Sequence, residues 1–387
     1  MVGIEILSDS IVSKKMRLFV HLALILCLQS LVCHAEDPAA EALDYAKNFS
    51  VSKQTTHTLL TVRNAYRDAT REFRYALVPK EQPVPEGLPE DATVIRTPVR
   101  RVVVMETVYV GYLDALGQLD AICGAGTVDF ISHPDVRARA RNGGIQSIQI
   151  GQSLDIERLL LLRPDLILTS ISGDPSFDVP PKLIRSGLPV VITAGYMERH
   201  PLARSEWIKF IAPFFEVSGK ADAVFAESAR RYEALTEMAD GVETRPSVFC
   251  GAPYSGAWHV AGGDSFTARA IDDAGGHYLW SDNRSQGGIP LDTERVFLKA
   301  AEADFWINPS HYQTLDALLG ADDRFGKFRA AQTGQVYNNT RQVGANGGNN
   351  IWERGIVHPE EVLADLIHIF HPELLPEHEP VFYEQLR

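Results

Sequence analysis

The sequence of 387 residues predicts an α/β fold: two parallel-sheet lobes joined by a long rigid helix, with a small β-rich N-terminal extension. Three features predict it. From about residue 98 onward, short unbroken apolar runs alternate with helical stretches, as buried parallel strands and their crossover helices do. Residues 205–241 carry helical periodicity and almost no strand signal. A segment of the first half also recurs in the second, which predicts two lobes of similar topology.

At the front, Lys14, Lys15 and Arg17 precede an apolar run over 18–28 that softens through Gln29 and Ser30 to Ala35. That order of basic, apolar and small residues predicts an export signal over 1–35, cleaved before Glu36. Met16 would serve as its start, since the residues before it add nothing to the signal. Ser30-Leu31-Val32 before Cys33 is a poor lipobox because the residue ahead of the cysteine is not small. A periplasmic or otherwise exported chain is therefore expected, soluble as the first reading, with a lipid tether at its front as the alternative. No later run approaches the roughly 20 apolar residues that a membrane span needs.

Residues 36–97 form the extension: 58–62 and 74–78 read as strands, and Pro79, Pro83, Pro85 and Pro89 mark an extended linker. Lobe one occupies 98–204, with strands at 102–105, 121–124, 166–169 and 189–193 and a helix at 111–119. The connecting segment, 205–241, reads as helix over 205–215 and 221–238. In the latter, Val224, Ala229, Tyr232 and Leu235 recur near helical spacing with charges between them. A strut of this kind joins lobes stiffly, unlike a Gly/Ser linker. Lobe two occupies 242–387. Its strands fall at 247–250, 258–261, 305–307 and 335–337, and its helices at 267–274, 293–301 and 359–370, the last stopped by His371-Pro372.

Composition excludes several classes. Against 37 basic residues stand 50 acidic ones, a net charge of −13, so the broad positive field of a nucleic-acid binder is missing. With 45% hydrophobic residues the chain has ample material for packed cores. Four cysteines make no disulfide scaffold. Cleavage would remove Cys27 and Cys33, and Cys123 and Cys250 lie in separate apolar runs that predict buried free thiols.

The repeat carries the most information. Leu154-Asp155-Ile156-Glu157-Arg158 is followed by an apolar run, by Arg163-Pro164-Asp165 and by a strand; Leu291-Asp292-Thr293-Glu294-Arg295 is followed by an apolar run, by Ala303-Asp304 and by a strand. Asp155 and Asp292 suit helix N-caps, and Glu157 and Glu294 fall in first turns, where the helix dipole favours negative charge. In one copy such a glutamate simply stabilises its helix. Two copies in matched places also suit a pair of exposed carboxylates that dock on a partner.

With these residues stand Leu162-Arg163-Pro164-Asp165-Leu166, Pro201-Leu202-Ala203-Arg204-Ser205-Glu206-Trp207, Gly262-Gly263-Asp264-Ser265-Phe266 with Ala274-Gly275-Gly276, and His358-Pro359-Glu360-Glu361-Val362-Leu363-Ala364-Asp365-Leu366. In this order, from about residue 102 to 374, they resemble the periplasmic substrate-binding proteins of ABC importers for ferric siderophores, haem and cobalamin. Two departures are that lobe two has Ala303-Asp304 where the motif usually includes a proline, and that the extension belongs only to a subgroup. The resemblance implies an inter-lobe cleft for an iron chelate or a corrinoid. It also implies docking of Glu157 and Glu294 on an ABC importer permease dimer in the inner membrane, by a monomer that holds no cofactor.

Among loops that would follow sheet strands, Tyr109, Phe130, Tyr196 and Trp258 could stack on such a ligand, and Arg284 and Arg341 could pair with its anionic groups. The alternative for each aromatic is a place in a lobe core. The Gly- and Asn-rich run after Arg341, residues 344–350, reads as a turn-rich loop of the kind that lines sites. His133, His200, His259, His277 and His311 are scattered, with no HExxH and no cysteine pair at zinc spacing. A direct Mn/Zn-binding transport protein stays open, because its ligands would come from separate loops. So does an extracellular two-lobed enzyme acting on a metal chelate, although G-x-S-x-G, Walker A and G-x-G-x-x-G motifs are all missing. The first expectation is a binding protein, not an enzyme.

Overall fold

The computed structural model of the chain describes residues 41–150, 153–173, 181–184 and 187–387. The expected export signal, with Cys27 and Cys33, lies outside the described residues. Cys123 and Cys250 are buried free thiols, as expected.

The extension is a four-stranded sheet. Phe49–Lys53, Thr58–Val62 and Phe73–Pro79 run antiparallel, and Thr93–Thr97 adds in parallel to Phe73–Pro79. The proline-rich stretch expected as a linker is thus the crossover that brings this last strand back. Two buried carboxylates bind the extension to the rest of the fold. Backbone N–H groups of Asp44, Tyr45 and Ala46 donate to Glu206 at 2.8–3.0 Å, and those of Lys47 and Asn48 donate to Glu198 Oε1 at 3.1 and 2.9 Å. Such charge-assisted bonds are the strong ones.

Lobe one holds five parallel strands in the order Val190–Thr193, Leu166–Ser170, Val102–Val104, Ile122–Ala125, Gln146–Ser147. Val102–Val104 and Ile122–Ala125 are buried throughout, which is why they read as unbroken apolar runs. Lobe two orders its sheet His277–Tyr278, Ser247–Cys250, Phe305–Ile307, Val336–Asn338, Glu384–Gln385; the first four are parallel and the chain end returns antiparallel. Beside it, Pro253–Tyr254, Ala257–Ala261 and Gly288–Leu291 form a small antiparallel sheet. Gly288–Leu291 was not expected, because Pro290 argues against a strand; it lies at the sheet edge, where a proline is tolerated.

The joining helix runs Ser218–Asp240, 23 residues, or about 34 Å at the usual rise. It buries Ala221, Phe225, Ser228, Ala229 and Tyr232 along one seam and packs on Pro359–Phe370, where Ser228 Oγ donates to Glu360. The helix expected over 205–215 is broken into Pro201–Ser205, Ile208–Ile211 and a final tight turn. Pro213 withholds a donor there, and Glu216 leaves in the left-handed region at φ 61°.

The lobes also touch directly. The helix Val108–Leu116 passes so close to Glu353 that a Cβ on Gly111 would lie 2.2 Å from the Glu353 carbonyl oxygen. Ser205 Oγ donates to the Val357 carbonyl at 2.7 Å. Only glycine permits the first of these approaches.

Candidate ligand-binding cleft

The C-terminal ends of the lobe-one strands deliver a polar cluster. Glu106 follows Val102–Val104, Ser170 ends Leu166–Ser170, and Gly195 and Tyr196 follow Val190–Thr193. With Tyr109, Arg204 and Trp207 they line a cavity of about 50 Å³. In lobe two, Asn308 follows Phe305–Ile307 and Asn339 follows Val336–Asn338. With Tyr232, Phe266, Ile351, Trp352 and again Arg204 they line a largely apolar cavity of about 60 Å³. Strand ends are where open α/β sheets bind ligands. Arg204 is the side chain common to both cavities.

Arg204 sits in the short helix Pro201–Ser205, which starts on a proline and is capped by His200 Nδ1, the acceptor of the Leu202 N–H at 3.0 Å. Its guanidinium lies 4.2 Å over the Phe266 ring, a cation–π contact. Its Nε is buried without a hydrogen-bond partner, and among the described residues it forms no ion pair. Burial pulls its pKa down to about 10. Phe266 opens the helix Phe266–Asp273, held by Ser265 Oγ as acceptor of the Ala268 N–H. Trp352 meets the Phe266 edge at 6.5 Å and, like Tyr196, remains exposed on one side.

Opposite stands a carboxylate. Glu106 Oε1 accepts from the Ser170 N–H at 3.1 Å, the Ser170 hydroxyl at 3.2 Å and the Thr169 hydroxyl at 3.2 Å. Its Oε2 is buried and meets no partner at hydrogen-bond distance, although the Tyr109 hydroxyl is near enough to act on its charge. Burial outweighs these favourable contacts and pushes the carboxyl up to about 7. Tyr109 is buried, its hydroxyl 2.9 Å from Thr193 Oγ1. Asn308 Oδ1, on the lobe-two cavity, is a further buried atom without a partner. Three of the five buried polar atoms that lack a partner among the described residues thus belong to residues lining these two cavities, as at sites built for a polar ligand.

A second buried carboxylate bridges the lobes. Glu353 accepts from the backbone N–H groups of Ser132 and His133, at 2.5 and 3.2 Å, and burial raises it to about 7. For both glutamates the folded pKa lies above the unfolded one, so the folded state holds the proton more tightly. Their contribution to stability is full below pH 4.5 and is lost as pH rises through about 7. The span from 4.5 to about 7 corresponds to about 3 kcal/mol per group. Glu106→Gln removes one of these losses, so its urea midpoint should gain on the parent's between pH 4.5 and 8. Parallel pH profiles for the two proteins would show that this carboxyl titrates normally.

The structure brings two of the expected ligand residues together, Tyr109 and Tyr196. Trp258 is corrected. It alternates with Val260 onto the buried face of Ala257–Ala261, donates to the Cys250 carbonyl at 3.1 Å and packs among Phe249, Trp306, Phe325 and Phe328, so its ring belongs to the lobe-two core. Phe130 is exposed, and its backbone abuts Gly348 at the lobe boundary. Arg284 is an 86% exposed side chain 3.5 Å from Asp264, and Arg341 borders a separate groove with Tyr337, His368 and Glu384. None of these three lines either cavity. Glu157 and Glu294 are exposed, in the first turns of Ile156–Leu162 and Thr293–Ala300. Asp155 caps its helix, accepting the Arg158 N–H at 2.9 Å, whereas Asp292 holds the cap position without a side-chain bond. Among the described residues no three His, Cys, Asp or Glu side chains converge as a metal-ion site, and no helix is long and apolar enough to cross a membrane.

Two α/β lobes on one long helix, with strand-end cavities that share the Arg204 side chain, have the architecture of a two-lobed solute-binding protein. The chain belongs to the periplasmic binding protein family, whose model matches residues 102–342. It is 24% identical over 322 residues to an uncharacterized lipoprotein of Methanocaldococcus jannaschii, covering 79% of this chain and 74% of that protein. In fold it is similar to a periplasmic heme binding protein from Pseudomonas aeruginosa, with a TM-score of 0.56, 19% identity and coverage of 75% and 98% of the two chains. A similar likeness is to Helicobacter pylori CeuE with Ni(II) bound, with a TM-score of 0.56, 16% identity and coverage of 74% and 88%.

Proposed function

We propose that the protein is exported, captures an anionic metal chelate between its lobes and delivers it to the permease dimer of an ABC importer. The chelate class is a ferric siderophore, haem or a cobalamin-type corrinoid. One observation carries this reading: Arg204, half-buried between two lobes with its Nε fully buried and unpartnered, has no carboxylate partner among the described residues and lies beside the aromatic faces of Phe266 and Trp352. A half-buried cation left unneutralised is costly in proportion to its desolvation, and a carboxylate or catecholate of the ligand would satisfy it with directed bonds. Cavities of about 50 and 60 Å³ do not hold a macrocycle. The ligand therefore sits at the opening, where Tyr196 and Trp352 offer ring faces, with its anionic edge toward Arg204. The haem named for one structural relative and the Ni(II) named for another support the chelate class. Glu157 and Glu294, exposed on separate lobes, supply the docking charges.

The test is tryptophan quenching against haem, cobalamin and a panel of ferric siderophores. Trp207 and Trp352 line the cavities and report on them. One chelate should quench with a Kd of about 1 μM or tighter, and it should be recovered unchanged. A panel that leaves the fluorescence untouched would count against the reading, and turnover of the bound compound would make the protein an enzyme.

A further inference from the structure

The helices that bear Glu157 and Glu294 share another feature. Leu161 is 83% exposed and Leu298 84%, the highest values among the exposed large hydrophobic residues described. Each stands four residues after its glutamate, so carboxylate and leucine lie one above the other on the same helix face. The core faces of these helices are already filled by Leu159 and Leu162 in one and by Val296 and Ala300 in the other. Packing within the lobe therefore leaves both leucines outside. A single exposed leucine is ordinary and means nothing. The same leucine in the same register on both lobes, each time beside an exposed acid, is a patterned surface.

Charge completes the pattern. Glu294 has an 85% exposed side chain whose ion pair, with Arg324, is long at 3.9 Å; Glu157 has none among the described residues. Each patch thus offers an exposed carboxylate, at most loosely paired, and an apolar tip, which together fit a basic group beside an apolar socket. The offer is made twice, by lobes of similar topology, so the fitting partner presents that socket twice, as a two-fold dimer does. We infer that Leu161 and Leu298 are apolar anchors that enter matching sockets on the two halves of the permease dimer, next to the cations that receive Glu157 and Glu294. The inference rests on the docking proposed above and adds what holds the complex once charge has steered it together. Rim charges mainly set encounter and salt dependence, whereas buried apolar anchors set dissociation.

The experiment measures binding of the full exported protein to nanodisc-embedded permease dimers of this importer class from the source organism. Leu161→Gln and Leu298→Gln should each weaken binding about 10-fold, and the double variant about 100-fold, equally at low salt and at about 0.5 M. Glu157→Gln with Glu294→Gln should weaken it chiefly at low salt. All four side chains being exposed, unchanged thermal melts serve as the folding control. Parental binding by the double leucine variant, beside a weakened glutamate variant, would overturn the anchors and leave the docking intact. Parental binding by both double variants, or no permease binding by the parent, would overturn the docking itself. Sedimentation is the last arm: a parent dimer that becomes monomeric in the leucine variant would assign the leucines to a second copy of this chain and overturn the inference.

Discussion

Arg204→Met is expected to weaken chelate binding by about 100-fold while the protein keeps its fold and gains thermal stability. Methionine retains the length and apolar character of the stem that lies against Phe266 but offers the ligand no donor. The anionic group then stays in a low-dielectric site without its partner. A lost charge-assisted bond and an unpaired buried anion together cost about 3 kcal/mol, which is about two orders of magnitude in Kd. The empty protein no longer carries a half-buried guanidinium whose buried Nε has no partner, so removing the charge relieves it. Loss of affinity combined with a raised melting temperature is the signature of a residue placed for ligand at the expense of the fold. Arg204→Lys should fall between, because a point charge cannot reproduce the planar fork. Quenching titrations beside thermal melts decide the matter. A methionine variant that binds as the parent does would remove the anion from the site.

Glu157→Arg combined with Glu294→Arg is expected to abolish uptake while leaving chelate affinity within about twofold of the parent. Both glutamates are exposed, and neither lines the cavities that meet at Arg204. Reversing them turns two attractions into two repulsions, and juxtaposed like charges cost several kcal/mol. The readouts are growth on, or accumulation of, the labelled chelate in cells that carry the variant, and quenching by the purified protein. Affinity lost along with uptake would mean that these carboxylates serve the cleft or the fold.

Much of the architecture was legible because buried parallel strands announce themselves. Val102, Val103 and Val104, or Phe305, Trp306 and Ile307, leave little choice of environment. The 23-residue helix was legible through its seam. Elements with internally conflicting residues were not. Pro290 concealed an edge strand, and the prolines from Pro79 to Pro89 made a crossover look like a linker.

Among the residues that line the candidate cavities, Tyr109 and Tyr196 could be named from their places after strands, while Trp258 is a core residue that reads like a ligand contact, because ligand stacking and core packing ask for the same ring. Its alternation with Val260 was the available clue. Arg204 was missed although Pro201, Leu202 and Ala203 surround it with apolar neighbours. Positions three and four residues to either side hold Pro201, His200, Trp207 and Ile208, so no acid at helical spacing could pair with it. Glu106 had no such signal, since its burial depends on how Ser170 and Tyr109 close over it in three dimensions.

Glu198 and Glu206 carry one more implication. Five peptide N–H groups of the front segment converge on their carboxylates, and Glu206 is fully buried. Stripping that segment away would remove these five charge-assisted bonds, leaving Glu206 with Lys209 Nζ at 2.9 Å and Glu198 with the Trp207 indole N–H at 3.2 Å. The front segment is thus tied into the body of the fold, and its loss is expected to lower the melting temperature of what remains. A receptor trimmed at the border of its first lobe should therefore be less stable than the whole polypeptide.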